Sequence, residues 1–240
     1  MSVPDFAARP QLSEAVARFV RKRIFDGVYA AGEYVRLDQL ATELGISVTP
    51  VREALFELRA EGLLDQQPHR GFVVLPVTER DLADVADVQA FVGGELAARA
   101  AAAITDEQVA ELYEIQSQLE QAYAGDDEER TVRLNHDFHR AINVAADSPK
   151  LAQVMSQITR YAPEAVFPGI TGWPQRSMAD HRKVLAALAA HDEAQARTAM
   201  AEHLAAGVLP LIAHLSSRGV VGCDDDGDAH PDQRPLPTAT

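Results

Sequence analysis

Apolar and polar residues between positions 40 and 58 follow the pattern of two short helices joined by a tight turn. Gly45 ends the first helix, because glycine readily adopts the left-handed conformation that closes a helix. Ser47 or Thr49 can cap the second helix, and Pro50 is tolerated in its first turn. The apolar positions that form the two buried stripes are Leu40, Ala41, Leu44, Val51, Ala54, Leu55 and Leu58. A DNA-binding helix-turn-helix and an ordinary pair of helices in a bundle share this pattern, so this stretch alone does not distinguish between them.

The residues that follow favour a DNA-binding unit, because they predict a β-hairpin beside the second helix. Two strand-like runs, Leu63–Leu64 and Phe72–Leu75, flank the segment Gln66–Gly71. His69 and Arg70 lie at the predicted tip, where a basic side chain reaches the minor groove or the phosphates of DNA. A helix-turn-helix with such a wing places the N-terminal end of its second helix in the major groove.

The predicted DNA-binding residues come from the start of the second helix, from the wing and from the position before the first helix. They are Arg36, Ser47, Val48, Thr49, Arg52, His69, Arg70 and Gly71. An earlier helix can add contacts to phosphates, or its charges form an ordinary solvated face; the residues concerned are Arg18, Arg21, Lys22 and Arg23.

Residues 10–76 resemble the winged-helix domain of the GntR family of bacterial transcription regulators. The matching segments are Asp26–Tyr29, Ala31–Glu33, Leu40–Ala41, Leu44–Ser47, Thr49–Leu55, Leu58, Glu61–Leu63 and Arg70–Gly71. Val48 stands where the family usually has Arg, and Ala31 stands where it usually has Pro. A valine can touch a thymine methyl but cannot form the bidentate contact that arginine makes with guanine. We therefore expect an operator unlike those of typical members.

From Thr78 to residue 217 the chain shows only helical periodicity, which predicts helices over about residues 79–103, 105–124, 127–146, 149–161, 175–190 and 192–217. Thr78 with Asp81, and Thr105 with Gln108, match the capping-box pattern at two helix starts. The predicted fold class is mainly α, with an N-terminal winged helix-turn-helix and a C-terminal all-α bundle.

Three features interrupt the predicted helices. Gly93 and Gly94 inside the first helix of this region indicate close helix packing, because each glycine otherwise weakens a helix. Pro210 predicts a bend in the last helix, because it cannot donate to the carbonyl of Ala206. The proline-rich segment 162–174 predicts a loop or a broken helix, and its Trp173 is either a loop anchor or part of a lid over a cavity.

Length and composition divide the chain into two domains with short ends. The 240 residues are assigned to a flexible N-terminus (1–10), the winged helix-turn-helix (11–76), the helical domain (77–218) and a disordered acidic tail (219–240). No apolar run is long enough to span a membrane, and the N-terminus lacks the pattern of a secretion signal. Since Cys223 has no second cysteine to pair with, we expect a cytoplasmic protein with no membrane partner.

The net charge of −14 argues against DNA binding until it is divided along the chain. Residues 1–76 carry nine basic and ten acidic side chains, whereas the remainder carries 13 basic and 26 acidic ones. The predicted DNA-binding domain is thus nearly neutral and can gather its positive groups on one face. The acidic helical domain is repelled by phosphate, which keeps it away from the duplex.

Four polar residues of the helical domain fall on inward-facing positions. Asn135 and His139 are four residues apart and share a helix face, and His181 and His203 lie on apolar faces of two later helices. A single histidine at such a position is usually a hydrogen-bonded core residue. Three on separate helices predict a buried site for a divalent metal, with Zn²⁺ or Ni²⁺ favoured by imidazole ligands.

Residues 78–217 resemble the FCD type of effector domain found in the FadR subfamily of GntR regulators. The matching segments are Asn135–Ile142, Asp180–Arg182 and Met200–Leu204. In that family a carboxylate or Asn and three histidines bind a metal, which can help to hold a small carboxylate effector. The resemblance implies that the metal ligands here are Asn135, His139, His181 and His203.

Two departures from the family concern this site. Asn135 stands where many members have Asp, so a neutral oxygen replaces a charged one. Gln89 stands where members often have Arg, and it cannot pair with an anion bidentately. Candidate replacements for that charge are Arg133, Arg140, Arg160 and Arg182. The predicted effector-binding residues are Gln89, Arg133, Arg140 and Trp173.

These features predict a ligand-responsive transcription regulator. The resemblance implies a repressor as the commoner arrangement and leaves an activator open. A C2 homodimer of the helical domains places two winged helices on a palindromic operator in double-stranded DNA. A small metabolite, expected to be an organic acid, then shifts the arrangement of the DNA-binding domains and with it the operator affinity. Two alternatives stay open: a metal-dependent enzyme, since the predicted ligands leave coordination positions free, and an architectural DNA-binding protein whose histidines only pack.

Overall fold

A computed structural model describes residues 10–68, 70–161 and 164–222 of the chain. The predictions for residues 1–9, for His69 and for residues 223–240 lie outside this range. Within it the chain is mainly α-helical, with a winged helix-turn-helix followed by an all-helical domain, which confirms the predicted fold class.

The winged helix-turn-helix packs its helices against a small antiparallel sheet. Its elements are α1 (Pro10–Phe25), β1 (Tyr34–Val35), α2 (Leu37–Leu44), α3 (Val48–Ala60), β2 (Leu64–Gln67) and β3 (Gly71–Val74). The strand order is β1-β3-β2, with Leu64 opposite Val74 and Gln67 opposite Gly71. The sequence does not predict β1, because two residues are too few to show an alternating pattern.

The turn between α2 and α3 forms as predicted. Gly45 adopts the left-handed conformation with φ +66°, and its N–H bonds to carbonyls of the last turn of α2. Ser47 is extended and lies at the N-cap position of α3, but its side chain makes no capping hydrogen bond. Val51 and Leu55 are fully buried, and α3 packs against α1.

The helical domain begins directly after the wing. Its elements are β4 (Val77–Thr78), α4 (Glu79–Ala103), α5 (Asp106–Ala124), α6 (Glu128–Ala145), α7 (Pro149–Ile158), α8 (Trp173–Ala189), α9 (Glu193–Ala206), α10 (Val208–Ser217) and β5 (Val221–Gly222), with short 3₁₀ turns at Thr159–Tyr161 and Glu164–Gly169. Both predicted capping boxes are present: Thr78 Oγ1 accepts from the N–H of Asp81, and Thr105 Oγ1 accepts from that of Gln108.

Helix α4 is the central helix of this domain and packs closely against α9. A Cβ added to Gly94 would lie 3.0 Å from the carbonyl oxygen of Arg197, and one added to Gly93 would collide with the side chain of Leu204. Both glycines are buried. They therefore serve the close helix packing that the sequence predicts.

The last predicted helix is divided in two. Helix α9 ends at Ala206, Gly207 forms a turn, and α10 begins at Val208. Pro210 lies in the first turn of α10, where its missing N–H leaves the carbonyl of Ala206 without its usual partner. The predicted bend is thus a full break between two helices.

By length and mean hydropathy alone, one stretch of the described residues, Glu193–Ser217, is long and apolar enough to cross a membrane. The pattern of apolar residues does not predict this stretch, because charged residues interrupt it. It comprises α9 and α10, broken at Gly207, and α9 packs against α4 and α8. Core helices of globular domains pass the same test, so the finding is weak evidence for a membrane.

The C-terminal part of the described chain returns to the DNA-binding domain. Leu211 and Leu215 of α10 are buried in the same hydrophobic core as α1 and α3. Val221–Gly222 then pairs in parallel with Val77–Thr78. Residues 219–222, which the sequence assigns to the start of the acidic tail, follow α10 directly, and the last two of them form this strand.

Candidate functional site

The surface predicted to read DNA is exposed at the N-terminal end of α3. Ser47, Thr49 and Arg52 are exposed, whereas Val48 is half-buried and packs partly against the core of the domain. The hydroxyl of Ser47, which makes no capping bond, stays available to a base or a phosphate. This arrangement fits the insertion of α3 into a major groove.

The wing presents Arg70 beside the sheet. Its guanidinium is exposed and donates to the hydroxyl of Tyr34 on β1, at 3.5 Å. Gly71 has φ +105°, and a Cβ there would lie 2.9 Å from the carbonyl oxygen of Val35, so glycine lets the hairpin approach β1. Arg36 is also exposed, at the start of α2.

The basic residues of α1 contribute less to this surface than the sequence allows. Arg21 is buried and forms a bidentate pair with Glu61, with a shortest N–O distance of 2.6 Å. Arg23 pairs with Glu43, and Lys22 pairs with Asp26 one turn along the helix. Arg21 therefore belongs to neither a solvated face nor a phosphate-contacting one, whereas exposed Lys22 and half-buried Arg23 form ion pairs on the helix surface.

The three predicted histidines meet in the helical domain. His139 on α6, His181 on α8 and His203 on α9 each offer a ring nitrogen, and these nitrogens lie within 4.8 Å of one another. The ring centroids are 5.2 Å apart for His139–His181 and for His139–His203, and 4.7 Å apart for His181–His203. We call these three residues the histidine cluster.

Burial keeps two members of the cluster neutral. His181 is fully buried and His203 is 3% exposed. Desolvation, followed by the neighbouring histidines, holds the pKa of His181 well below its usual range; desolvation and the charges of His139, Arg176 and Lys183 do the same for His203. Neutral imidazoles keep the lone pairs that a metal ion requires.

One atom of the cluster lacks a partner within the described structure. Nδ1 of His203 is buried and makes no hydrogen bond. An unpaired buried polar atom costs about 1–3 kcal/mol, so such atoms usually mark a site for a ligand, a water or an ion. Together with the nitrogen donors of the other two histidines, this atom makes the residues present fit a divalent metal.

Aromatic rings and small residues enclose the cluster. Phe138 stacks on His181 with ring centroids 4.1 Å apart, and the ring of Trp173 lies 5.9 Å from that of His203. A Cβ on Gly207 would lie 3.0 Å from Phe167 and 3.1 Å from Trp173. The predicted loop residue Trp173 is therefore a buried wall of the cluster.

The remaining site predictions have different environments. Asn135 is half-buried on the same face of α6 as His139. The amide of Gln89 donates to the carbonyl oxygen of Ile158 at 3.2 Å, so it holds the end of α7 in place. Arg133 and Arg140 are exposed on α6.

Two polar residues beside the cluster are not among the site residues that the sequence predicts. Oε1 of Gln116 on α5 lies 2.9 Å from Nδ1 of His181, and Oγ of Ser177 lies 3.5 Å from its Nε2. Both side chains are almost fully buried. The sequence feature that could identify Gln116 is its polar side chain at a core position, since it shares an apolar stripe with Leu112 and Leu119.

Arg160 connects the two domains, a contact the sequence does not predict. It follows α7, and its Nη1 lies 2.5 Å from Oε1 of Glu57 on α3 and 3.9 Å from Oε1 of Glu61. Arg21 holds the same Glu61 from α1. The C-terminal half of α3 is thus tied to the segment that leads from α7 to the cluster.

Two family models match the chain. The model described as bacterial regulatory proteins of the gntR family covers residues 12–74, and that of the FCD domain covers residues 84–206. This chain belongs to the GntR family of bacterial transcription regulators. GntR-family proteins bind DNA and small-molecule effectors and are commonly dimeric, and FCD domains often bind metals.

Relatives across most of the chain agree with this assignment. A "Probable D-xylose utilization operon transcriptional repressor" of Paenarthrobacter nicotinovorans is 30% identical over 213 residues, which are 88% of this chain and 93% of that protein. The transcriptional regulator McbR of Escherichia coli is 28% identical over 80% of this chain and 88% of that protein, and the repressor GlaR of the same species is 28% identical over 78% and 90%.

The structure of E. coli McbR/YncC has the same overall fold. It matches with a TM-score of 0.67 and 26% identity, over 87% of this chain and 98% of that one. The family and these relatives are transcription regulators, so this GntR protein is a regulator and not an enzyme. This assignment contradicts the alternative of a metal-dependent enzyme.

Proposed function

We propose that this GntR protein is a ligand-responsive repressor that binds a palindromic operator as a homodimer and senses a small organic acid at a metal-containing histidine site. The observation that carries the sensing part is the convergence of three buried or half-buried histidines, one of them with an unpaired Nδ1. Two relatives are described as repressors, which supports that direction of control. The proposal places the protein in the cytoplasm, with its operator DNA.

DNA recognition rests on α3 and the wing. Ser47, Thr49 and Arg52 present two hydroxyls and a guanidinium at the end of α3 that enters a major groove, and Arg70 reaches out from the wing. Half-buried Val48 offers a methyl group at its exposed edge, which suits a thymine better than a guanine. His69 stays a predicted wing contact.

The metal site rests on the donor set. His139, His181 and His203 supply nitrogen ligands, and Asn135 supplies a neutral oxygen from the same face as His139. Imidazole ligands favour Zn²⁺ or Ni²⁺ among divalent ions. A bound ion would supply positive charge for a carboxylate effector, which the neutral Gln89 cannot supply. Trp173 would border that effector. Arg133 and Arg140, which are exposed on α6, would contact it only at its outer edge.

A path of contacts connects the histidine site to the DNA-binding domain. His203 lies on α9, which leads through Gly207 into α10, whose Leu211 and Leu215 pack in the core of the winged helix. Arg160 ties the end of α7 to Glu57 on α3. A ligand that favours one packing of the cluster would shift the orientation of α3 through these contacts.

The homodimer is proposed from symmetry and from an exposed apolar face of α4. Val88 is 46% exposed and Phe91 is 72% exposed, and they lie three residues apart on one side of the helix. Buried in a two-fold interface, this face would set the spacing of the two winged helices on DNA. A non-sensing architectural protein, the other alternative, gives no reason for an unpaired His203 Nδ1.

Selection of genomic fragments tests the proposal. Sheared DNA of the source bacterium is bound to the purified protein, and the recovered fragments are sequenced. We expect a two-fold symmetric motif, with reduced enrichment by Arg52→Ala and normal enrichment by Arg59→Ala at the far end of α3. Fragments without symmetry, or equal enrichment by Arg52→Ala, would contradict the assigned reading surface.

The sensing part needs a separate measurement. Thermal melts of the metal-free and zinc-loaded protein are compared across a panel of small organic acids. We expect an acid to stabilise the zinc-loaded protein and to change its affinity for the recovered motif. Stabilisation of equal size without metal would show that the acid binds elsewhere.

A further inference from the structure

A chain of hydrogen bonds leads from the protein surface to His181. Nε and Nη2 of Arg182 on α8 lie 3.1 and 2.8 Å from Oε1 of Glu120 on α5. The same carboxylate oxygen is 2.9 Å from Nε2 of Gln116, whose Oε1 is 2.9 Å from Nδ1 of His181. Gln116 is 3% exposed, so its amide makes these contacts inside the protein.

The chemistry of each partner fixes the orientation of the Gln116 amide. An ionised carboxylate only accepts hydrogen bonds, so the atom of Gln116 that faces Glu120 is its NH₂ group. The ion pair with Arg182 holds the Glu120 carboxylate in position. The carbonyl oxygen of Gln116 is therefore the atom that faces the imidazole. This network settles an assignment that an isolated amide would leave ambiguous.

The amide orientation in turn fixes the position of the proton on His181. A carbonyl oxygen only accepts, so Nδ1 of His181 carries the hydrogen and donates it to Gln116. The ring of His181 is fully buried against Phe138, and a histidine that binds a metal is a neutral imidazole with one proton. Nε2 is then the atom with the free lone pair, and only a hydroxyl, that of Ser177, stands 3.5 Å from it among the contacts described.

We propose that Gln116 is a positioning residue that holds His181 in the Nδ1–H tautomer and thereby presents Nε2 as the metal-ligating atom. The proposal rests on the metal site proposed above. Gln116 itself would not touch the ion. Its role is that of the outer hydrogen-bond acceptor that orients a ligating histidine, here a neutral amide locked by the Glu120–Arg182 pair.

The tautomer can be measured without any metal. In protein with ¹⁵N-labelled histidine, the protonated and unprotonated ring nitrogens have well-separated shifts. We expect His181 of the metal-free wild type to be protonated at Nδ1 alone. Gln116→Met removes the acceptor with little change in volume, and we expect it to mix the two tautomers or to move the proton to Nε2.

Zinc affinity supplies the second readout, by competition with a chromophoric chelator. Loss of an outer partner of a metal ligand costs about 10–100-fold in affinity, and we expect this loss for Gln116→Met. Gln118→Met is the matched control, because Gln118 is half-buried on the same helix and bonds only to Glu114 in the described structure. Glu120→Leu is the second variant, since leucine offers no acceptor to the Gln116 amide and so removes the orientation lock at a half-buried position.

The outcomes separate this inference from the proposed function. A wild type with the Nδ1–H tautomer but without zinc binding would contradict the metal site and keep the positioning role. Zinc binding with equal affinity and an unchanged tautomer in Gln116→Met would overturn the positioning role. If Gln116→Met does not fold, the same two measurements on Glu120→Leu decide: a wild-type tautomer and affinity overturn the proposal, and a mixed tautomer with weaker binding supports it.

Discussion

His203→Leu should raise the stability of the metal-free protein while it abolishes the stabilisation by zinc. In the folded chain Nδ1 of His203 is buried without a hydrogen bond, and the ring is 3% exposed beside His139 and Trp173. A leucine of similar volume removes the unpaired atom and keeps the apolar contacts. The same change deletes one of the three nitrogen donors.

The stability of the metal-free variant is the sum of two terms of opposite sign. Removing an unsatisfied buried polar group gains about 1–3 kcal/mol, and a volume-conserving swap costs less than about 1.5 kcal/mol. We therefore expect the metal-free variant to be more stable by about 1 kcal/mol, or about 2–4 °C in a chain of this size. At a zinc concentration 100 times its Kd the wild type gains about 2.7 kcal/mol, and the variant gains nothing. The order of the two melting temperatures then inverts.

Thermal melts at one fixed protein concentration, with chelator and with zinc, measure this inversion. His214→Leu is the matched control, because His214 lies on α10 outside the cluster and should leave the zinc response unchanged. Equal stabilisation of wild type and His203→Leu by zinc would remove His203 from the metal site. A metal-free variant less stable than wild type by 2 kcal/mol or more would refute the role given to the unpaired Nδ1.

Three further changes test other contacts. Arg52→Ala should weaken operator binding by about 1–3 kcal/mol while the oligomer stays intact, as fluorescence anisotropy and sedimentation would show; unchanged affinity would contradict the recognition helix. Arg160→Ala removes a half-exposed ion pair with Glu57, so stability should change by less than about 1 kcal/mol, whereas the effect of zinc or effector on operator affinity should shrink; an undiminished effect would place the coupling elsewhere. Gly94→Ala should destabilise the fold by up to about 2 kcal/mol, because overpacking against the Arg197 carbonyl outweighs the gain in helix propensity; a more stable variant in a denaturant titration would contradict the close packing of α4 and α9.

The parts of the fold that the sequence predicts are those with local signals. Thr78 and Thr105 mark helix starts through capping boxes that involve residues three positions away, and Gly45 marks a left-handed helix end. The break before α10 has a local signal in Pro210. The histidines were found because each lies on an apolar helix face, a periodic property of its own segment.

The parts it does not predict depend on partners far along the chain. Arg21 resembles a DNA-binding residue until its pairing with Glu61, 40 residues later, is known. Arg160 resembles an effector ligand, but its partner Glu57 is 103 residues away. The strand Val221–Gly222 has no pattern of its own and forms only by pairing with Val77–Thr78.

Gln116 shows the same limit inside the candidate site. A glutamine in an apolar stripe indicates a buried hydrogen bond, but nothing near it in the sequence identifies His181, 65 residues later, as the partner. The histidines of the proposed metal site are therefore predictable from spacing and resemblance. The contact between Gln116 and His181 is not, because it depends on the packing of α5 against α8.

Metal analysis of protein purified without an affinity tag, combined with a thermal melt with and without chelator, tests the central claim most directly. We expect about one equivalent of zinc or nickel per chain, as for a site with one set of histidine ligands, and a clear loss of stability on chelation. We also expect His181→Ala to lose the metal but to keep its fold and its DNA binding. Absence of metal with no chelator effect, or full metal content in His181→Ala, would contradict the histidine site as a metal centre.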